Sequence, residues 1–207
     1  MIQKQTKNDT GQAYTLESIA AVVILLSAVV FAQQITAITP LSASTSSQQV
    51  ENQQGEQAKG LLESSASTGE LKDTLLTWDE DNGTYYDTES GINTYRSTTP
   101  PTQFGDILER DFITQSIGTN IELIYYEDSG GDLTRQRLSY LTYGNPSDNS
   151  FSTRVAVPLY DDDEILDENG NPTGVTLADS NSFPIDNMDT SSDTYNIVIV
   201  QITIWRI

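Results

Sequence analysis

The sequence predicts an α+β fold: a long N-terminal transmembrane/stalk helix followed by an antiparallel β-sheet domain with one or two packed helices. Three observations carry this. Residues 18–38, SIAAVVILLSAVVFAQQITAI, form an apolar run in which only Ser27 is polar between Ile19 and Ala32. The last third of the chain is rich in β-branched and aromatic residues, arranged around Gly-containing turns. Between these, two segments carry their apolar residues at helical spacing.

Taken in order, residues 1–17 read as a cytoplasmic leader-like segment. Residues 1–10 are polar and short, with no packing signal, and Asp9 or Thr10 can cap the helix that follows. Residues 18–38 then form a transmembrane helix, since roughly 20 residues at about 1.5 Å each cover the ~30 Å hydrocarbon core. A buried helix of a soluble protein would show a polar face, and residues 20–26 show none. The rival is a cleaved signal peptide, because small residues follow at Ser42, Ala43 and Ser44. Against it stands Glu17, directly at the apolar boundary. Lys4 and Lys7 precede the span and no Lys or Arg follows until Lys59, which places the amino terminus in the cytoplasm and the rest outside.

Residues 39–67 are Ser- and Gln-rich before turning amphipathic at Ala58, Leu61 and Leu62, the pattern of a stalk helix or a linker. Pro40 marks either the start of a new helix or a kink. Residues 68–207 form the extracellular α+β domain. Leu71, Leu75 and Trp78 predict a short helix over 70–78. A second, capped by Thr102, carries Phe104, Ile107, Leu108, Phe112 and Ile113 and is expected to end at Gly118. Residues 120–127 and 133–143 flank Ser129-Gly130-Gly131-Asp132 and predict a hairpin. Residues 151–160 form a third strand, with Pro158 pointing to a sheet edge. Residues 195–205 form a fourth. Its two faces are both apolar, Val198, Val200, Ile202 and Ile204 against Tyr195, Ile197, Ile199 and Trp205, so a central strand covered on both sides is expected.

Composition bounds the chemistry. With 10 Lys and Arg against 30 Asp and Glu, the 207-residue chain carries a formal charge of −20. Phosphate binding needs a basic footprint, so nucleic acid is excluded as a partner. Acids scattered along the whole exterior part fit a halophilic setting, where a Debye length of about 3 Å at 1 M salt screens self-repulsion. The absence of His and Cys removes the usual general base, thiolate chemistry and the usual zinc ligands. No catalytic residue, metal or cofactor is expected, and the chain is read as not an enzyme. The turn at 79–83, DEDNG, fails the calcium-loop pattern because Gly83 stands where an oxygen ligand is needed. In the acidic insertion 161–171 the alternation is broken by Ile165 and Leu166, so a solvated loop with a tight Asn169-Gly170 turn is expected. Asn82-Gly83-Thr84 is an N-glycosylation sequon on an exterior turn, which makes Asn82 the candidate acceptor.

The residues Gly11-Gln12-Ala13-Tyr14-Thr15-Leu16-Glu17, running into the apolar helix, resemble the amino-terminal segment of type IV pilins and pilin-like proteins over residues 4–38. In that family a dedicated peptidase removes a short basic leader, and a Glu a few residues into the mature helix pairs with a neighbouring subunit. The resemblance implies processing around Gly11, Gln12 and Ala13, and assembly through Tyr14, Thr15, Leu16 and Glu17. A cut after Gly11 puts Glu17 one position later than the usual bacterial pattern, and a cut after Ala13 one position earlier. The whole chain, with TLE, the span, TPLSASTSSQQVENQQ, PPTQFG, LYDDD and IVIVQITIWRI, is similar to an uncharacterised family of acidic, membrane-anchored haloarchaeal proteins with pilin-like amino termini. That likeness implies a single-pass membrane protein, with the membrane and other pilin-like subunits as partners and a place in a surface filament or secretion system. The alternative is a monomeric anchored surface protein whose acidic β domain binds a partner or envelope component.

Overall fold

A helix grows by one hydrogen bond for each residue it fixes, so a long stretch of good helix formers continues until something stops it. In the computed structural model, which describes residues 6–89, 92–96 and 98–207, with side chains outside 6–13 and 33–51, helix α1 spans Thr6–Thr68. Residues 6–10, which carry no packing signal, are already helical, and Asp9 and Thr10 lie inside the helix rather than capping it. Pro40 also falls within α1, so the backbone of residues 39–67 takes the helical alternative and not the linker. The chain divides into two compact units, Met1–Val50 and Glu51–Ile207.

In the second unit the last turns of α1 bury Gly55, Ala58, Leu62 and Ser65. That spacing of three to four residues places them on one face. Gly55 is required there: a β-carbon at this position would sit 2.8 Å from the Phe151 ring. Gly69, at φ 88, ends α1 and lets α2, Glu70–Leu76, start in a new direction. Leu71, Leu75 and Leu76 of α2 are buried, and Trp78 follows into the core just beyond the helix end.

Helix α3 covers Gln103–Asp111, and Thr102 is its cap, accepting from the Gly105 N–H at 3.3 Å. The expected stop at Gly118 is corrected. After a 3-10 turn at Ile113–Gln115, Ser116 takes the left-handed conformation at φ 60, and Gly118 is already in the first strand. Glycine at 118 answers to packing instead, because a β-carbon would lie 2.2 Å from the Trp205 ring.

Strands β1 (Ile117–Asp128) and β2 (Leu133–Thr142) form the expected hairpin, and β3 (Phe151–Tyr160) and β6 (Thr194–Arg206) complete an antiparallel sheet of order β2-β1-β6-β3. Pro158 lies on the edge strand, where its missing N–H costs no ladder bond. β6 is central, and its two faces are covered unequally. Val198, Val200, Ile202 and Ile204 enter the core, whereas Ile197 is 42% exposed. The expected cover on both sides holds only in part: on the second face Tyr195 and Trp205 are buried, while Ile197 and Ile199 between them stay partly open to solvent.

The acidic insertion is corrected as well. Glu164–Leu166 (β4) and Pro172–Thr176 (β5) pair as a small antiparallel hairpin. Ile165 and Leu166, which break the calcium alternation, are core residues. Gly170 at φ 76 forms the tight turn between them.

Candidate functional site

The candidate site is the exposed apolar half of α1. Tyr14–Ala32 has a mean hydropathy of 2.3 and none of it is buried, so this one helix among the described residues is long and apolar enough to cross a membrane. Leu16, Ile19, Val22, Val23, Ile24 and Leu25 point outward around the whole helix, each at least half exposed. The two serine hydroxyls in the run are satisfied locally. Ser18 Oγ donates to the Tyr14 carbonyl at 2.8 Å, and Ser27 Oγ to the Val23 carbonyl at 2.7 Å. Such back-bonding removes the cost of carrying a free hydroxyl into lipid.

Glu17 is exposed at the boundary of this run. The closest preceding cation in sequence, Lys7, is ten residues away, about 15 Å along the axis at 1.5 Å per residue. Tyr14, Leu16 and Glu17 all lie on the exposed helix with Thr15 between them. Gly11, Gln12 and Ala13 are helical in backbone, and their side chains lie outside the described residues.

The acidic loops use their carboxylates on their own backbone. Asp79 accepts from the Asn82 N–H at 3.0 Å and from the Asn82 side-chain amide at 2.7 Å. The candidate glycan acceptor is thus exposed but tethered to Asp79. Asp163 is paired with Lys72 at 2.6 Å and accepts from the Tyr160 N–H at 2.7 Å. Among the described residues no group of three or more acids gathers closely enough to hold a metal ion. A cleft of about 730 Å³ is lined by Glu70, Asp73, Asp106 and Glu168, and burial pushes the Asp73 carboxyl above its ordinary value.

Asp167 behaves oppositely. The Asn171 backbone N–H, at 2.8 Å, and then the Asn171 amide hold its carboxyl below the usual carboxylate value of 3.8. A depressed folded-state pKa contributes stability above the unfolded value and loses it as pH falls through the folded one. The amide resonances of Asn169 and Asn171 should therefore shift together as the pH falls, with a common midpoint below 3.8. A midpoint at or above 3.8 in an NMR titration would show that the turn does not hold the carboxylate.

Sequence reasoning missed the aromatic interior. Trp78 and Tyr85 meet edge-on at 4.9 Å, Tyr85 and Tyr140 at 4.8 Å, and Tyr95 and Tyr140 at 5.2 Å. Burial raises the Tyr85 and Tyr140 phenols well above their ordinary value and pushes Tyr195 up to about 12, so they stay protonated. Tyr140 donates to the Thr74 carbonyl and Tyr195 to the Ile185 carbonyl. A protein-family model described as a family of unknown function, DUF7288, matches residues 10–204. No curated protein and no solved structure matches the chain.

Proposed function

The chain belongs to the DUF7288 family, and from that premise we propose that it is a pilin-like structural subunit, or an accessory component, of an archaeal surface filament or secretion system. The observation that carries this reading is the 14–32 stretch of α1, apolar on all sides, with Glu17 at its edge. A helix without a polar face is at home either in lipid or in a bundle of like helices. In the proposed arrangement the amino terminus is cytoplasmic, the helix is a single membrane pass, and the domain that follows is extracellular. The acidic composition suits a halophile, and no enzymatic role is assigned.

Glu17 discriminates between lipid and bundle. A charge at the centre of a membrane helix costs about 2.5 to 3.5 kcal/mol, and one at its edge costs less. A lone helix relieves it by reaching the headgroups, whereas an assembled one pairs it with a neighbour's amine. Glu17→Ala should lower the amount of the protein recovered in sheared surface filaments by about tenfold while membrane levels stay unchanged. Equal recovery would leave Glu17 without an assembly role.

The alternative, a monomeric anchored surface protein, draws on the self-contained core of the Glu51–Ile207 unit. Mass spectrometry of the amino-terminal peptide separates the two readings. A start at Gln12 or Tyr14 fits pilin-like maturation, and an intact Met1 fits a simple anchor. A start near Ser44 would mean that the helix is a removed signal and would end both.

A further inference from the structure

The second face of the four-stranded sheet is an unused surface with a defined composition. Side chains alternate across a strand and paired residues share a face, so the register assigns its members. Arg137, Ile124, Ile199 and Ala156 form one row across β2, β1, β6 and β3. Two residues further along each strand, Arg135 pairs with Tyr126, and Ile197 with Pro158. In the opposite direction the row is Ser139, Glu122, Gln201 and Arg154.

The middle of this face is apolar. Ile124 is fully buried and lies outside the main core cluster. Around it Ala156 and Pro158 are exposed, and Ile197 is 42% exposed. The flanks are basic. Three of the ten cationic residues of the chain, Arg135, Arg137 and Arg154, stand in these rows, and all three are exposed. The single carboxylate in the same rows, Glu122, is paired with Arg137 at 3.0 Å. An apolar centre with arginines at its rim is the composition of an interface, and arginine is enriched where partners meet.

Resting on the filament-subunit reading above, we infer that this sheet face is a docking surface for a second copy of this chain. The argument is charge complementarity. A protein with 30 acids and 10 bases is acidic over most of its surface, and a sheet face with an apolar centre and an arginine rim complements that surface on another copy. Two such faces meeting each other would bring like charge together, since Arg137 is paired with Glu122 but Arg135 and Arg154 leave each face net positive. The contact is therefore heterologous: the sheet face of one copy takes an acidic surface elsewhere on the next. A heterologous contact leaves one sheet face open at the end of each pair, so it propagates into rings or open chains and does not stop at a dimer.

The test uses the full-length chain in detergent micelles, with two differently tagged copies co-expressed and one tag captured. Arg135→Glu combined with Arg154→Glu changes only exposed side chains, and an unchanged near-UV circular dichroism spectrum checks the fold. Wild-type copies should co-purify, and pairs in which both copies carry the double reversal should be recovered about tenfold less. A wild-type copy mixed with a reversed copy should still co-purify, because one intact sheet face still meets one acidic surface, and each reversed copy should end the run of subunits it joins. Recovery of doubly reversed pairs at the wild-type level would overturn this inference and leave the filament reading standing. A wild-type chain that never captures its own copy, in micelles or in membranes, would overturn both.

Discussion

Trp78→Ala should destabilise the folded domain by about 3 to 5 kcal/mol, the range for removing a fully buried large aromatic. Trp78 has no exposed surface, and its ring meets Tyr85 at 4.9 Å and Phe183 at 6.0 Å. Its Nε1–H donates to Ser182 Oγ at 2.9 Å, and Ser182 in turn donates to the Glu80 carboxylate at 2.8 Å. The residue thus ties the end of α2 to a segment more than 100 positions away, and the backbone N–H of Trp78 adds a bond to the Leu166 carbonyl. Truncation removes the ring contacts and leaves Ser182 without its donor. Trp78→Phe keeps most of the ring volume and loses the hydrogen bond, so it should cost about 1 to 2 kcal/mol. Urea unfolding of the full-length chain in micelles, followed by Trp205 fluorescence, reads both. A Trp78→Ala loss below about 1 kcal/mol would mean that the aromatic interior is not where the domain's stability resides.

How much of this was legible in the sequence depends on the period of each element. The apolar helix was plain because lipid-facing composition needs no pattern, only length. The four long strands were legible because alternation and the Gly130-Gly131 turn act over a few residues. The helix cap at Thr102 was local too. What escaped were residues whose partners are distant. Tyr85 and Tyr95 sit in an irregular stretch with no period, and their burial comes from Trp78 and Tyr140. Ile165 and Leu166 looked like interruptions in an acidic loop, and they are buried because β4 and β5 pair above the core. β6 misled in the other direction: two apolar faces suggested two covering layers, and the middle of the second face, at Ile197 and Ile199, is left partly open. The role proposed for residues 14–17 rests on their place at the start of the apolar run, because a single chain offers no second helix for them to meet.

Gly105→Ala should reverse the ordinary helix rule. Alanine normally gains about 1 kcal/mol over glycine inside a helix, because glycine loses more backbone freedom on folding. At position 105 a β-carbon would lie 1.9 Å from the Pro100 carbonyl oxygen and 2.9 Å from the Pro100 carbonyl carbon. Both obstacles are backbone atoms, so no side-chain rotation relieves the overlap. The Pro100 carbonyl is fixed in turn, since it accepts the Thr102 N–H at 2.8 Å. Thr102 is held from two further directions, accepting from Gly105 as the cap of α3 and from the Thr74 hydroxyl at 2.9 Å, which joins α2 to α3. Moving Pro100 therefore strains the cap and the contact between the two helices, and the expected net loss is about 2 to 4 kcal/mol. Gly60→Ala supplies the matched control. Gly60 is also helical, nothing lies within 4 Å of its β-carbon position, and alanine there should stabilise by about 0.5 to 1 kcal/mol. Unfolding curves for the two variants in the same micelles should move in opposite directions. If both became more stable, the segment before α3 would have room that its backbone contacts deny.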